Sequence, residues 1–126
     1  MIIDFVPAKT RDAAAISALR QRIWDTTYRG IYPDAVIDDF NYNWHQQHDL
    51  KKILDPSLMA YLIKYGDEDI GYFIFQHVGS VVWLRSLYVL QEYQHRGIGK
   101  QAFSILNDYC KEKWNQSFFL RLLSSQ

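Results

Sequence analysis

Apolar and polar residues alternate along the chain in three successive rhythms. Ile2 to Val6 is short and apolar and stops at Pro7, as an opening strand would. Thr10 then offers a helix cap, and Asp12 stands in the first turn, where the helix dipole favours an acid. Ile16, Leu19, Ile23 and Thr27 follow at helical spacing, with Trp24 widening the stripe. The spacing predicts a helix from about Arg11, interrupted by Gly30 and Pro33. Between Asp34 and Leu54 the apolar positions are scattered among Asn, Gln, Asp and His, which predicts a second, less regular helical region.

Beyond Pro56 the rhythm becomes that of a sheet. Leu58 to Tyr65, Ile70 to Val78 and Val81 to Leu90 are rich in β-branched and aromatic residues. Gly66-Asp67-Glu68-Asp69 and Gly79-Ser80 separate them. Strands joined so tightly form an antiparallel meander. Helical spacing returns from Gly97 to about Trp114, with Ile98, Ala102, Ile105, Leu106 and Tyr109 on one face, and Ser117 to Leu123 reads as a last strand. A strand, a helix and a strand in that order make a parallel crossover. The predicted fold is therefore α/β (α+β) with a mixed sheet, in one domain over residues 1–126. The aromatics between Leu58 and Leu84 belong to the core of the meander.

Composition narrows the classes. Hydrophobic residues make up 48% and charged residues 22%, which is globular rather than disordered. Fourteen basic residues balance 14 acidic ones, so electrostatic attraction to nucleic acid or anionic lipid is not expected. A single cysteine, Cys110, forms no internal disulfide and points to the reducing cytoplasm; it reads as a small buried thiol. No stretch approaches the roughly 18 apolar residues that span a bilayer. His45 and His48 lie three apart but lack further ligands at suitable spacing, so no metal is expected, and both read as surface or cap residues. His77 reads as a surface residue at a strand end, with a position facing the cleft as the lesser alternative.

The chemistry concentrates in Leu87-Tyr88-Val89-Leu90-Gln91-Glu92-Tyr93-Gln94-His95-Arg96-Gly97-Ile98-Gly99-Lys100. A strand ends there and a glycine-bearing loop opens a helix. The first N–H groups of a helix lack internal partners and sit at its positive end, a natural anion site. Gly97 and Gly99 let a phosphate approach the backbone, and Arg96 and Lys100 add charge. Residues 94 to 100 are thus a candidate phosphate or diphosphate site, although glycines at this spacing also occur in plain strand-to-helix turns. No Gly-Lys-Ser/Thr of a Walker loop follows, nor the third glycine of a dinucleotide fingerprint.

Leu87-Tyr88-Val89 followed, after four residues, by Gln94-His95-Arg96-Gly97-Ile98-Gly99 resembles the central motif of the GNAT superfamily of N-acetyltransferases, a Leu-Tyr-Val strand end before Gln/Arg-x-x-Gly-x-Gly/Ala. The predicted element order is similar too: first strand, two helical segments, three-stranded meander, motif helix, final parallel strand. The resemblance implies acetyl-coenzyme A as co-substrate. The amides of Gln94, His95, Arg96, Gly97, Ile98, Gly99 and Lys100 would hold its diphosphate, and the backbone of Leu87, Tyr88 and Val89 its pantetheine arm. It further implies direct attack by a primary amine of a small molecule or peptide on the thioester. Trp24, Tyr28 and Tyr32 lie where the family builds its acceptor pocket, and Thr27-Tyr28-Arg29-Gly30-Ile31 is similar to a subgroup of bacterial small-amine acetyltransferases; ordinary core and turn packing is the equal alternative for these aromatics.

The pattern departs from the family in three places. Gln91 and Glu92 stand where a proline is frequent. Trp83, Leu84, Arg85 and Ser86 stand where many members carry a carboxylate base, so no catalytic residue carries over. GNAT chains usually continue into one more helix and two more strands, whereas this sequence ends at Gln126. The expectation is therefore an unprotected edge strand that leads to self-association into a homo-oligomer, or to instability. The alternative function is a catalytically weak acetyl-coenzyme A-binding module, or a truncated product ordered by dimerisation.

Overall fold

The computed structural model describes residues 2–113 and the backbone of residues 119–122. The chain runs β1 (Ile3–Pro7), a 3-10 turn (Thr10–Asp12), α1 (Ala13–Thr27), α2 (Asp34–Asp38), α3 (Tyr42–Leu54), β2 (Leu58–Tyr65), β3 (Glu68–Val78), β4 (Val81–Val89), a 3-10 turn (Gln91–Tyr93), α4 (Ile98–Lys113) and β5 (Phe119–Leu122). The five strands form one sheet in chain order, antiparallel from β1 to β4 and parallel between β4 and β5. Among the described residues no helix is long and apolar enough to cross a membrane.

The sheet has a helical layer on each face. Ile98, Ala102, Leu106 and Cys110 of α4 pack on Ile63, Phe73, Phe75 and Val82. On the other face Ile16, Leu19 and Ile23 of α1 pack on Leu62, Tyr72 and Ile74. These buried positions repeat every three or four residues on the helices and every second residue on β3, so the two periods meet at flat interfaces.

Several expectations need correction. Thr10 is not a cap: the 3-10 turn is closed by Asp12, whose Oδ2 accepts the Lys9 N–H at 2.8 Å, and α1 begins only at Ala13. Thr27 is exposed, and Tyr28 takes over the end of the buried stripe. The irregular region is two helices, and Asn41 caps the second by accepting the Trp44 N–H at 3.0 Å. β3 starts at Glu68, inside the predicted turn, and β4 stops at Val89. His77 is a bridge rather than a surface group. Its Nε2 donates to Gly79 O at 2.9 Å, so Nδ1 accepts from the Tyr109 hydroxyl at 2.7 Å, tying the β3–β4 turn to α4. His45 stacks on Phe40 at 4.2 Å, and His48 stacks on Trp44. Of the predicted last strand, Ser117, Phe118 and Leu123 lie outside the described residues.

Candidate functional site

β4 carries an irregularity in its middle. Ile74 pairs with Ser86 and the next residue, Phe75, with Leu84, so Arg85 is an extra residue in the ladder, a β-bulge. The bulge changes which side chains face which layer. Val82 and Leu84 pack toward α4, and after the extra residue Leu87 and Val89 do so. Ser86 stands opposite Ile74, and Tyr88 contacts Tyr72, both on the α1–α3 face. Parallel pairing with β5 covers Val81 to Leu84 and, among the described residues, goes no further.

The loop that follows is tightly made. Leu90 N–H donates to Ile70 O at 2.8 Å, Tyr93 N–H to Leu90 O at 2.9 Å, and the Gln94 side chain to Val89 O at 3.0 Å. The Gln94 amide is spent on Gln91 O at 3.2 Å, so it is not one of the open donors. His95 and Gly97 both take positive φ, 62° and 79°. The first helical bond runs from Gln101 N–H to Gly97 O at 3.1 Å. Among the described residues, the amides from His95 to Lys100 find no acceptor. The side chains of His95, Arg96 and Lys100 are exposed, while Ile98 is buried and anchors the loop to the core.

Chain packing leaves the loop surface open. A Cβ built on Gly97 meets nothing within 4 Å, and one built on Gly99 meets only Leu87 Cδ2, at an ordinary 3.8 Å. Gly97 is required by its φ, but nothing in the fold requires Gly99 to be bare. The residues present therefore fit a diphosphate: bare backbone, a row of amides and two cations, Arg96 and Lys100, with no carboxylate partner among the described residues.

Across the sheet, the predicted acceptor residues Trp24, Tyr28 and Tyr32 form one run of ring contacts. The Tyr28 hydroxyl hydrogen-bonds to that of Tyr88, and burial together with this bond raises its pKa above the usual phenol range. Tyr32 packs on Tyr28 at 5.5 Å and is half exposed. Trp24 packs edge-on against Tyr28 at 5.7 Å and also against Phe40 and His45 at 5.5 and 5.6 Å, inside the α1–α3 layer. Beneath them Arg20 lies 5.1 Å over the Tyr72 ring and donates to Asp49 Oδ1 at 2.6 Å, and Ser17 donates to Asp49 Oδ2 at 2.8 Å. Burial pushes the Tyr72 hydroxyl far up, so it stays protonated. Tyr88, Tyr28 and Tyr32 thus meet at the end of β4, on the face opposite α4. Among the described residues no group of three or more His, Cys, Asp or Glu is arranged to hold a metal.

Comparison with known proteins agrees with this layout. Residues 17–123 match the profile of the acetyltransferase (GNAT) family. The fold is similar to PaiA N-acetyltransferase from Thermoplasma acidophilum in complex with coenzyme A (TM-score 0.77, 21% identity, 90% of this chain and 74% of that one). It is also similar to ribosomal-protein-alanine N-acetyltransferase from Brucella melitensis (TM-score 0.70, 18% identity, 98% and 80%). An aminoglycoside N-acetyltransferase in complex with coenzyme A aligns as well (TM-score 0.70, 15% identity, 98% and 78%). At these identities the likeness is one of fold. No curated protein sequence matches. The strand end, the glycine loop and the profile match across most of the sequence lead to one assignment: the chain belongs to the acetyltransferase (GNAT) family.

Proposed function

We propose that the protein transfers an acetyl group from acetyl-coenzyme A to a primary amine of a small molecule or peptide. One conjunction carries this reading: β4, whose described pairing with β5 covers Val81 to Leu84, runs directly into the loop whose amides from His95 to Lys100 are open. In this reading the amides of His95, Arg96, Gly97, Ile98, Gly99 and Lys100 hold the diphosphate, with the Gln94 side chain bracing Val89. The backbone of Leu87, Tyr88 and Val89 pairs with the pantetheine arm as an added strand. Tyr28 and Tyr32 border the acceptor, and Trp24 supports them from behind.

The chemistry needs little more than placement and polarisation. The amine nitrogen attacks the acetyl carbonyl carbon and the carbon–sulfur bond breaks. The nitrogen gives up a proton, and the sulfur leaves as a thiolate that takes one. An N–H at the β4 end polarises the carbonyl as charge develops on its oxygen, and holding the two reactants together supplies the entropic part of the acceleration. Burial holds the Tyr28 and Tyr72 hydroxyls above the usual phenol range, so both are protonated at neutral pH.

The reading extends to setting and assembly. The protein works in the cytoplasm, where its buried Cys110 thiol stays reduced. The outer edge of β5, the last strand of the described sheet, makes the contact of a homo-oligomer.

Calorimetry with acetyl-coenzyme A, followed by thiol release over an amine panel, tests the proposal. Wild type binds and turns over. Gly99→Val keeps its circular dichroism spectrum but loses at least about tenfold in affinity, roughly 1.4 kcal/mol. Wild-type protein that gives no binding heat, or Gly99→Val that binds equally well, sinks the assignment. Sedimentation of the same samples reports the assembly, and a monomer at all concentrations removes the β5 contact.

A further inference from the structure

The bulge residue Arg85 ends a hydrogen-bond chain that runs in one direction. The Ser57 N–H and O–H both donate to Asp55 Oδ1, at 2.8 and 2.7 Å. Gln76 Nε2 donates to Ser57 Oγ at 2.9 Å. Gln76 Oε1 accepts from Arg85 Nε at 2.9 Å and also from Arg85 Nη2. With the Ser57 hydroxyl pointing at Asp55, Gln76 has only one productive orientation, carbonyl toward Arg85. The ring of Trp83 flanks the guanidinium at 5.8 Å.

Such a chain orients a charge without neutralising it. Gln76 engages one edge of the guanidinium, which has five N–H donors in a fixed fork. Among the described residues no carboxylate lies within ion-pair distance of Arg85, and the side chain is only half buried. A carboxylate at position 76 would have balanced the charge with nearly the same shape. Alternation from Trp83 and the bond to Gln76 put Arg85 on the α1–α3 face, and the bulge brings Ser86 and Tyr88 onto that same face after it. A second guanidinium, Arg20, lies on the same face, and its buried Nε has no partner.

We propose that Arg85 receives a carboxylate of the acceptor, and that the acceptor is an amino acid rather than a polycation. The proposal rests on the acetyl-transfer reading above and specifies its substrate. A strand rises about 3.3 Å per residue, so Leu87 lies roughly 7 Å along β4 from Arg85. The guanidinium leans toward Gln76, opposite Trp83, so an acceptor long enough to span from there places its amine near Leu87, where the thioester carbonyl would sit. A polyamine on this face would instead meet an unbalanced cation.

The test compares kcat/KM, by thiol release, for glycine, β-alanine and 4-aminobutyrate with that for alkylamines of matching length, and includes glycylglycine and spermidine. Wild type favours the carboxylate-bearing amines. Arg85→Met lowers the ratio of amino acid to alkylamine by about 10- to 100-fold, the usual range for a lost hydrogen bond to a charged group. Gln76→Glu gives Arg85 an internal carboxylate and lowers the same ratio while holding or raising the melting temperature. A purely structural Arg85 predicts the opposite for Gln76→Glu: a firmer fold with selectivity intact. Preference of wild type for spermidine or alkylamines overturns the proposal, as does an equal loss on both substrate classes in Arg85→Met. Turnover of glycylglycine alone assigns the carboxylate to a peptide and overturns the free amino acid. Calorimetry with acetyl-coenzyme A on the same proteins separates the two levels: absent binding removes the acetyl-transfer reading and this one with it, whereas binding with spermidine turnover removes this one only.

Discussion

Gly71 stands opposite Val89, and a Cβ built on it would lie 2.2 Å from Tyr88 O and 3.1 Å from Val89 Cα. Both obstacles are backbone, so no rotamer change relieves them, and β4 must move if position 71 gains a methyl group. Gly71→Ala should cost about 1–3 kcal/mol in urea denaturation, the range for forced overpacking. Because Leu87 to Val89 are the proposed pantetheine edge, the same substitution should weaken acetyl-coenzyme A binding without touching the ligand. Unchanged stability and affinity would show that β4 yields freely here. Two further residues of the region differ in legibility. Gly97, at φ 79°, is the residue type that such a backbone favours, so sequence points to it. His95, at φ 62°, takes a conformation that costs an ordinary residue about 1–2 kcal/mol, and nothing in its identity announces this.

Among the elements, α1 and α3 are joined by one buried charge. Asp49 is 2% exposed and accepts from Ser17 and Arg20, so it ties the two helices together and neutralises a guanidinium that lies on Tyr72. Removing one member leaves the other charge buried, which typically costs 3–5 kcal/mol. Asp49→Ala should lower stability by about that amount, read from the urea midpoint, and a loss under about 1 kcal/mol would mean that water reaches Arg20. Helices α1 and α4 and the meander were legible because each has a clean period and one buried face. Residues 34–54 were less so, because their order comes from contacts between elements: Asn41 capping Trp44, His45 on Phe40, Asp49 on Arg20. The bulge left a trace that is readable in retrospect. The α4-facing apolar residues of β4 are Val82 and Leu84 and then Leu87 and Val89, a phase slip of one residue that a regular strand does not allow. The loop proposed to hold a diphosphate stands out as a motif, whereas the Arg85 relay joins the turn before β2 to β3 and β4 and emerges only from their packing.

At the scale of the molecule, one sheet separates two layers, α4 on one face and α1 and α3 on the other; the proposed reading makes these the coenzyme and acceptor sides, meeting at the end of β4. The acceptor layer contains a titratable ring. His45 is stacked on Phe40 and flanked by Trp24 and Trp44, with Arg20, Lys52 and His48 as neighbouring bases and Asp49 as the opposing acid. Burial first, and then Arg20, hold its pKa below the ordinary 6.5, with Lys52 and His48 adding to the effect and Asp49 opposing it. Between that lowered value and 6.5 the unfolded chain binds more protons than the folded one, so stability rises with pH across this window. The contribution of His45 is complete above 6.5, declines as the pH falls through the window, and levels off below the folded value. Urea midpoints at several pH values from 7.5 to 5 should therefore fall more steeply for wild type than for His45→Phe, which keeps the stacked ring and cannot take a proton. Parallel curves for the two proteins would place His45 in water, with the α1–α3 layer open around it; a converging pair would show that acid loosens the acceptor layer through this ring.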